Sequence, residues 1–201
     1  MNAINGAMLS ILIPTYNFNV LLLVKELHKQ AQLLNIDFEI LVFDDCSPNP
    51  SVENETISTL EYCTYKILES NIGRSAIRNL LAISAKHDTL LFLDADVEIL
   101  DDSFISNYLD VMDTNTQIIY GGIKYCKAPS KKDFSLRWTY GTNREALTLS
   151  ERIKKPYLRF LTLNFLIKKS VFILVNLAIA MIFLMLIKNG KNLIFLFILL
   201  L

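Results

Sequence analysis

Short apolar runs alternate with helical segments over the first 120 residues, and this alternation is the feature that most constrains the fold. The apolar runs are nearly continuous in hydrophobicity, which is typical of strands buried on both faces of a sheet. They are Leu9–Ile13, Phe38–Phe43, Tyr65–Leu68 and Thr89–Leu93, with Ile118–Tyr120 as a fifth short strand. The pattern therefore predicts an α/β fold whose mostly parallel sheet is flanked by helices.

Helical periodicity fills the intervals between these strands, because residues that recur at steps of three and four share one helix face. In the first helix these residues are Val20, Val24, Leu27, Ala31 and Leu34. In a second helix, over Gly73–Ala85, they are Ile77, Leu80, Leu81 and Ser84. We also predict a weaker helix over Val52–Tyr62 and another over Asp102–Thr114, with Asp101 or Asp102 as its N-cap.

Candidate functional residues follow the strands, in the loops that leave their carboxyl ends. In a parallel α/β sheet, ligands bind at these ends, in the crevice where the strand order reverses. We therefore expect four loops to converge on one rim of the sheet. Their residues are Pro14, Thr15 and Tyr16 after the first strand, Asp44 and Asp45 after the second, Asn71 after the third, and Asp94, Ala95 and Asp96 after the fourth.

Asp94-Ala95-Asp96 places two carboxylates, one residue apart, at the exit of a buried strand. Such a pair suits Mg²⁺ or Mn²⁺, which takes few protein carboxylates when the phosphates of a ligand complete its coordination shell. The simpler interpretation is a loop with two solvated acids. The position directly after an apolar strand favours the metal site.

Two further segments suit a nucleotide. A carboxylate at Asp44 or Asp45 can accept a hydrogen bond from the imide N–H of uracil or contact a ribose hydroxyl; the alternative for one of the two is a helix cap or Asx-turn. Gly73 begins a helix, and a helix N-terminus favours a diphosphate. Arg74 and Arg78 are four residues apart on that helix and suit phosphate, although both also fit ordinary surface positions.

Taken together, these segments resemble family 2 glycosyltransferases, which have the GT-A fold. Ser10–Asn17 resembles the family's opening strand, and Phe43–Ser47 its V-D-D-G-S motif, with Cys46 in place of glycine. Asn71–Asn79 resembles N-x-G-x-x-x-A-R-N, with Ile77 in place of alanine, and Asp94–Asp96 matches D-x-D. Phe160–Phe172 resembles the acceptor-side segment, in which a strand ends and a helix begins. The order and spacing of the motifs are specific, whereas each motif alone is not.

The resemblance implies transfer of a sugar from a nucleotide-diphosphate donor to the hydroxyl of a glycan or lipid-linked acceptor, usually with inversion. Thr15, Asp44 or Asp45, and Arg78 would hold the nucleotide. Asp96 would be the main ligand of the Mn²⁺ or Mg²⁺, and Asp94 would contact the ribose or the hydration shell of the metal. The product would belong to glycan or polysaccharide synthesis.

The acceptor half departs from the family. Its general base is an acidic residue downstream of the acceptor segment, but no Asp or Glu follows Glu151, and Asp133 and Glu145 precede that place. The general base is therefore unknown, and a non-catalytic nucleotide-sugar-binding module is the alternative. A sugar-phosphate nucleotidyltransferase is disfavoured, because no Gly-rich basic loop follows the first strand. Phe134, Trp138 and Tyr140 either pack a small subdomain or line an acceptor pocket, and packing is favoured.

Charge and hydropathy divide the chain. All 20 acidic residues lie at or before Glu151, whereas eight of the 20 Lys and Arg follow it. The acidic front part argues against nucleic acid as a partner, and the basic, apolar end suggests a membrane surface. We divide the chain into a nucleotide-sugar-binding core (8–122), a partial acceptor-side segment (123–170) and an apolar tail (171–201).

The tail has three interpretations. Residues 171–187 contain one polar residue, Asn176, and as a helix would span about 25 Å, so a membrane anchor is the first. The second is an out-of-frame translation of the last third of an enzyme, and the third, disfavoured, is a buried core helix. Basic residues before the tail predict a location on the cytoplasmic face of the inner or plasma membrane. The protein is cytoplasmic if the tail is no anchor.

Overall fold

The computed structural model describes residues 6–126, 135–154, 160–175 and 195–197. Its strands are β1 (Met8–Thr15), β2 (Asp37–Asp44), β3 (Cys63–Ile67), β4 (Thr89–Leu93), β5 (Ile118–Tyr120), β6 (Asn164–Lys168) and β7 (Phe195–Phe197). Its helices are α1 (Leu21–Leu33), α2 (Arg74–Ser84), α3 (Phe104–Asp110), α4 (Ser135–Arg144), α5 (Leu149–Lys154) and α6 (Lys169–Val175), with a 3-10 helix over Val52–Thr59.

These strands form one sheet in the order β3-β2-β1-β4-β6-β5-β7. β1 pairs in parallel with β2 and β4, and β2 pairs in parallel with β3. β6 runs antiparallel to both of its neighbours, β4 and β5, and β7 lies parallel to β5. The predicted mostly parallel α/β sheet is confirmed. The strand order changes direction between β1 and β4, so the carboxyl ends of these two strands flank a crevice.

Both faces of the sheet are covered, which explains the continuous apolar runs. Side chains alternate between the faces of a strand, and in β1 Leu9 and Ile11 lie in the core that includes helix α1, whereas Leu12 lies in the opposite core. That second core contains Ile77 and Leu81 of α2. Residues 9–13 of β1 are all buried, and four of these five residues are apolar.

Most predicted helices form, with three differences. The segment after β2 is a 3-10 helix, because Thr56 and Thr59 bond the carbonyl oxygens three residues before them (both 2.7 Å) and compete with α-helical bonding. In α2, Ser84 is exposed, whereas Ala82 and Ala85 are buried. The third difference concerns the bounds of α3.

The predicted bounds of α3 were wrong at both ends. Ser103, rather than Asp101 or Asp102, precedes the first helical residue, and Asp101 Oδ1 accepts a hydrogen bond from the Ser103 N–H (2.8 Å). The helix ends at Asp110, because Asp113 Oδ1 accepts the N–H groups of Asn115 (2.9 Å) and Thr116 (2.7 Å) in an Asx-turn. Local side-chain bonding therefore shortens the predicted helix.

The acceptor-side segment ends as its sequence pattern predicts, with strand β6 leading directly into helix α6. Beyond Val175, the predicted apolar helix lies outside the described residues, except that Phe195–Phe197 form strand β7. Among the residues that the structure describes, no helix is both long enough and apolar enough to cross a membrane.

Candidate functional site

An open cleft of about 220 Å³ lies at the carboxyl ends of β1, β2 and β4, beside the switch point of the sheet. It is lined by Pro14, Thr15, Tyr16, Phe18, Asp45, Arg74, Ile77, Arg78, Asp94, Ala95 and Asp96. All the predicted site residues except Asp44 and Asn71 thus line one cleft. Sequence reasoning missed Phe18 and Ile77. The one available signal was the position of Phe18 in the polar loop after β1.

The ends of β1 and β2 are fixed to one another beside the cleft. The Asp45 N–H donates to the carbonyl oxygen of Thr15 (2.9 Å), which extends the parallel pairing by one bond. The buried hydroxyl of Thr15 donates to the carbonyl oxygen of Phe18 (3.2 Å). These bonds hold the loop after β1 against the strand, so the cleft wall has a defined shape before any ligand enters.

Asp44 is the member of the acidic pair with a structural role. Its carboxylate is buried, and Oδ1 accepts the Ser47 N–H (2.7 Å) in an Asx-turn. Oδ2 accepts the hydroxyl of Tyr65 (3.0 Å). Burial, together with the neighbouring Asp44 carboxylate, raises the pKa of Tyr65 to about 12, so the phenol remains a hydrogen-bond donor at neutral pH. Asp44 therefore shapes the loop rather than the cleft surface.

Asp45 lines the cleft and also holds the start of α2. Its two carboxylate oxygens accept the N–H groups of Ile72 (2.7 Å) and Gly73 (2.9 Å). Its carbonyl oxygen accepts the side-chain amide of Asn71 (2.9 Å). Gly73 has φ +86°, a left-handed conformation that favours glycine. Two N–H groups that lead into the helix predicted to receive a diphosphate are therefore already bound to a carboxylate of the protein itself.

Asp94 is the centre of a group of charges on the opposite wall. Arg78, whose side chain is 7% exposed, donates from Nη2 to Asp94 Oδ1 and from Nη1 to the carbonyl oxygen of Arg74 (2.9 Å). Nη2 of Arg74 lies 3.6 Å from Asp94 Oδ2, and the Arg74 side chain is 85% exposed. Burial raises the pKa of Asp94, and the guanidinium groups of Arg78 and Arg74 oppose that rise.

The carboxylates of the cleft fit a partial metal shell. Asp96 is exposed. The contact that the structure shows for Asp94 Oδ2 is the exposed guanidinium of Arg74, at 3.6 Å. Across the described ranges there is no group of three or more His, Cys, Asp or Glu side chains that could hold a metal by themselves. Mg²⁺ bound with a nucleotide uses one or two carboxylates and takes its other ligands from phosphate and water.

Glu145, one of the two acids considered for a general base, is held in a separate cluster. Arg137 donates to its two oxygens (both 3.0 Å), and the hydroxyl of Tyr125 donates to one of them. Burial disfavours the ionised form of Glu145, but the bonds from Arg137 and Tyr125 outweigh it and lower its pKa. Trp138 donates to the carbonyl oxygen of Cys126 (2.7 Å) and lies outside the cleft.

Asp133 and Phe134 lie outside the described residues, and Tyr140 is largely exposed.

Beside the acceptor-side strand, Gly121 packs so closely that a Cβ atom would overlap the Tyr108 hydroxyl and the Asn164 side chain. That hydroxyl donates to Asn164 Oδ1 (2.5 Å), and the amide of Asn164 donates to the carbonyl oxygen of Gly122 (3.2 Å).

The mostly parallel sheet, with acidic and basic side chains converging at its switch point, defines an α/β protein of the nucleotide-binding type. The family model of glycosyl transferase family 2 matches residues 10–181, so the chain belongs to this family. An uncharacterized glycosyltransferase of Haemophilus influenzae is 37% identical over 91 residues, which are 44% of this chain and 29% of that protein.

Solved structures share the GT-A type fold. S. aureus TarS (residues 1–349), in complex with UDP-GlcNAc, has a TM-score of 0.59 and 20% identity, over 83% of this chain and 46% of its own. Glucosyl-3-phosphoglycerate synthase of Mycobacterium tuberculosis has been solved in complex with Mn²⁺, UDP and glucosyl-3-phosphoglycerate. It has a TM-score of 0.62 and 14% identity, and the match covers 98% of this chain and 71% of the synthase. The chain thus spans about half of the TarS structure and less than a third of the Haemophilus relative.

Proposed function

We propose that the cleft binds a nucleotide-diphosphate sugar, and that the protein transfers this sugar to an acceptor hydroxyl. The observation that carries the proposal is the convergence of Thr15, Asp45, Arg74, Asp94 and Asp96, from three strand ends and one helix, on a single cleft. Similar structures are complexes with UDP-GlcNAc, UDP-glucose or GDP-mannose, which supports this class of donor.

Within the cleft, Asp45 and Thr15 are on the side that we assign to the base and ribose of the donor. Of the acidic pair, Asp45 takes this role, because it lines the cleft, whereas Asp44 does not and is bonded to Ser47 and Tyr65. The arginines of α2 and the carboxylates after β4 lie on the side that we assign to the diphosphate. This arrangement places opposite charges where a diphosphate and its cation would both be held.

We propose that Mn²⁺ or Mg²⁺ binds with the donor, with Asp96 as the main protein ligand and Asp94 in the ribose contact or the metal hydration shell. The exposed carboxylate of Asp96 supports this assignment. Related structures contain Mn²⁺ or Mg²⁺ together with UDP. When bound, such a cation stabilises the negative charge of a departing diphosphate.

The acceptor and the cellular location are proposed from the remaining features. An acceptor hydroxyl on a glycan or lipid-linked sugar, attacked with inversion, follows from the family. The basic residues that precede the apolar tail support the cytoplasmic face of a membrane as the location. They are Arg152, Lys154, Lys155, Arg159, Lys168 and Lys169.

Calorimetry with UDP- and GDP-sugars in the presence and absence of Mn²⁺, together with a transfer and donor-hydrolysis assay, tests this function. Asp96→Ala should abolish the Mn²⁺-dependent part of donor binding and the turnover with it. Asp102→Ala is a matched control, because it removes an exposed carboxylate that is paired with Lys29 away from the cleft. Donor binding that Asp96→Ala leaves unchanged would overturn the metal assignment.

A second candidate is a nucleotide-sugar-binding module without transferase activity. Two observations favour it: residues 152–201 contain no Asp or Glu, and the Glu145 carboxylate is engaged by Arg137 and Tyr125. This module would bind the donor in calorimetry and show no turnover with any acceptor. Turnover together with binding would rule it out.

A further inference from the structure

Three groups at the cleft have the chemistry to bind the diphosphate of a donor: the N–H groups of Ile72 and Gly73 that lead into α2, Arg78 and Arg74. Among the cleft-lining residues that the structure describes, Arg74 and Arg78 supply the positive charge. The three groups differ in whether the protein itself already occupies them. That difference separates their roles.

The loop that leads into α2 is occupied. The N–H groups of Ile72 and Gly73 both donate to the Asp45 carboxylate, at 2.7 and 2.9 Å. A phosphate at this position would have to displace a carboxylate that is 6% exposed and that belongs to the adjacent strand end. Two negative groups at one helix terminus would also repel each other. The N–H groups of Ile72 and Gly73 are therefore part of a fixed internal contact.

Arg78 is occupied as well. Its side chain is 7% exposed, and its two terminal nitrogens donate to Asp94 Oδ1 and to the carbonyl oxygen of Arg74. Moving this guanidinium to a phosphate would leave Asp94, whose side chain is 15% exposed, without its buried partner. Breaking a buried ion pair in this way is strongly unfavourable.

Arg74 differs from Arg78 both in its exposure and in the strength of its contact with Asp94. Its side chain is 85% exposed, and its Nη2 atom lies 3.6 Å from Asp94 Oδ2, beyond the length of a good hydrogen bond. An exposed pair of this kind contributes little to stability. The guanidinium can therefore leave Asp94 at small cost, and its planar group of donors matches two phosphate oxygens.

We propose that Arg74 is the diphosphate-binding residue of the cleft and exchanges Asp94 for phosphate when the donor enters, while Arg78 stays on Asp94 as a positioning residue. The exchange leaves Asp94 Oδ2 open towards the cation that accompanies a diphosphate. This inference rests on the proposed function, because it requires a nucleotide-diphosphate donor. It differs from the role that the family resemblance implies for Arg78, which is to hold the nucleotide.

The test is calorimetry of the full chain with UDP, GDP, uridine and guanosine, with and without Mn²⁺. Arg74→Ala should weaken binding of the diphosphate that the wild-type protein binds by about 10- to 100-fold, as for loss of a charged hydrogen bond. Its affinity for the matching nucleoside should not change. Arg74→Lys keeps the charge without the planar group, so its affinity for the diphosphate should lie between those of the wild-type protein and Arg74→Ala.

Lys86→Ala is the matched control. Lys86 follows α2, is also exposed, and lies 3.3 Å from the Asp37 carboxylate, so its loss changes the net charge equally, away from the cleft. This variant should bind the diphosphate like the wild-type protein. Equal melting temperatures of the variants show that the fold is intact.

Three outcomes overturn the inference, and they are distinguishable. If the wild-type protein binds a nucleoside diphosphate and Arg74→Ala binds it equally well, Arg74 is not the diphosphate-binding residue, while the proposed function stands. If the wild-type protein binds neither UDP nor GDP, the proposed function fails, and the role of Arg74 fails with it. Loss of nucleoside and diphosphate binding to the same extent would also reject a diphosphate-specific role.

Discussion

Asp45→Asn is the substitution for which the structure gives the most definite expectation. The carboxylate of Asp45 joins the end of β2 to the start of α2 through the N–H groups of Ile72 and Gly73. Asparagine has nearly the same shape, but it offers one acceptor oxygen where the carboxylate offers two. One of the two N–H groups would then face an amide NH₂ and lose its partner.

The expected loss of stability follows from these two bonds. A buried donor left without a partner costs about 1–3 kcal/mol, and the remaining bond loses its charge. We therefore expect a loss of about 2 kcal/mol in the free energy of unfolding. For a chain of this size that corresponds to a decrease of roughly 4–8 °C in melting temperature.

Thermal denaturation and urea titration of Asp45→Asn measure this loss, with Asp102→Asn as the control. Asp102 is exposed, and its one ion pair is to the exposed Lys29, so its substitution should change the melting temperature by roughly 1 °C or less. A variant Asp45→Asn that melts together with Asp102→Asn would refute the reasoning. Asp45 would then be a surface acid of the cleft, and its bonds to the start of α2 would contribute nothing.

Three other substitutions and one titration follow from the same structure. Arg78→Met leaves the Asp94 carboxylate without its buried partner and should cost about 3 kcal/mol in unfolding experiments, of which Asp94→Asn in the same chain should restore a part. Gly121→Ala should cost about 1–3 kcal/mol by the same measurement, because its Cβ atom has no space. Glu145→Gln should lower stability by about 1 kcal/mol or less, since its Arg137 partner is largely exposed, and should leave any turnover intact. The raised pKa of Tyr65, about 12, favours the neutral phenol in the fold, so unfolding free energy should fall between pH 10 and 12, and less so in Tyr65→Phe.

Each of these predictions has a contrary result. If Asp94→Asn added to Arg78→Met lowers stability further, the two residues are not an ion pair in solution. A normal melting temperature for Gly121→Ala would mean that Tyr108 and Asn164 can move apart. Loss of turnover in Glu145→Gln, with the fold intact, would identify Glu145 as part of the reaction. An absorbance titration of the tyrosines with no delayed ionisation would contradict the burial of Tyr65.

The central strands were predictable because both of their faces are buried. The edge strand β3 is largely exposed, and it spans Cys63–Ile67 instead of the predicted Tyr65–Leu68. Thr89–Leu93 and Ile118–Tyr120 have the predicted bounds, and the first two strands extend the predicted runs by one or two residues at the ends. Periodicity also placed α1, whose residues Val24 and Leu27 are fully buried. Where polar side chains bond the local backbone, as at Thr56 and Asp113, they shortened or changed the helices in ways that apolar spacing does not contain.

The sequence predicted which loops form the site, but it did not predict the hydrogen bonds within it. The rule for parallel sheets brought the ends of β1, β2 and β4 together, because it depends on chain direction alone. It did not distinguish Asp44 from Asp45, since neighbouring side chains of a strand end point to opposite sides and only the packed structure shows which one meets Tyr65. The rule also did not predict the hydrogen bond between Tyr108 and Asn164, which are 56 residues apart in the sequence.

The sequence by itself determined the class of fold, the family and the residues at the rim of the sheet, because hydrophobic period and motif spacing are local properties of a chain. The tertiary structure decided which charges are free to meet a ligand. It buries Arg78 against Asp94, turns Asp45 towards the start of α2, and leaves Arg74 and Asp96 exposed. Burial and pairing depend on residues from distant parts of the chain, and for this reason only the assembled sheet assigns them.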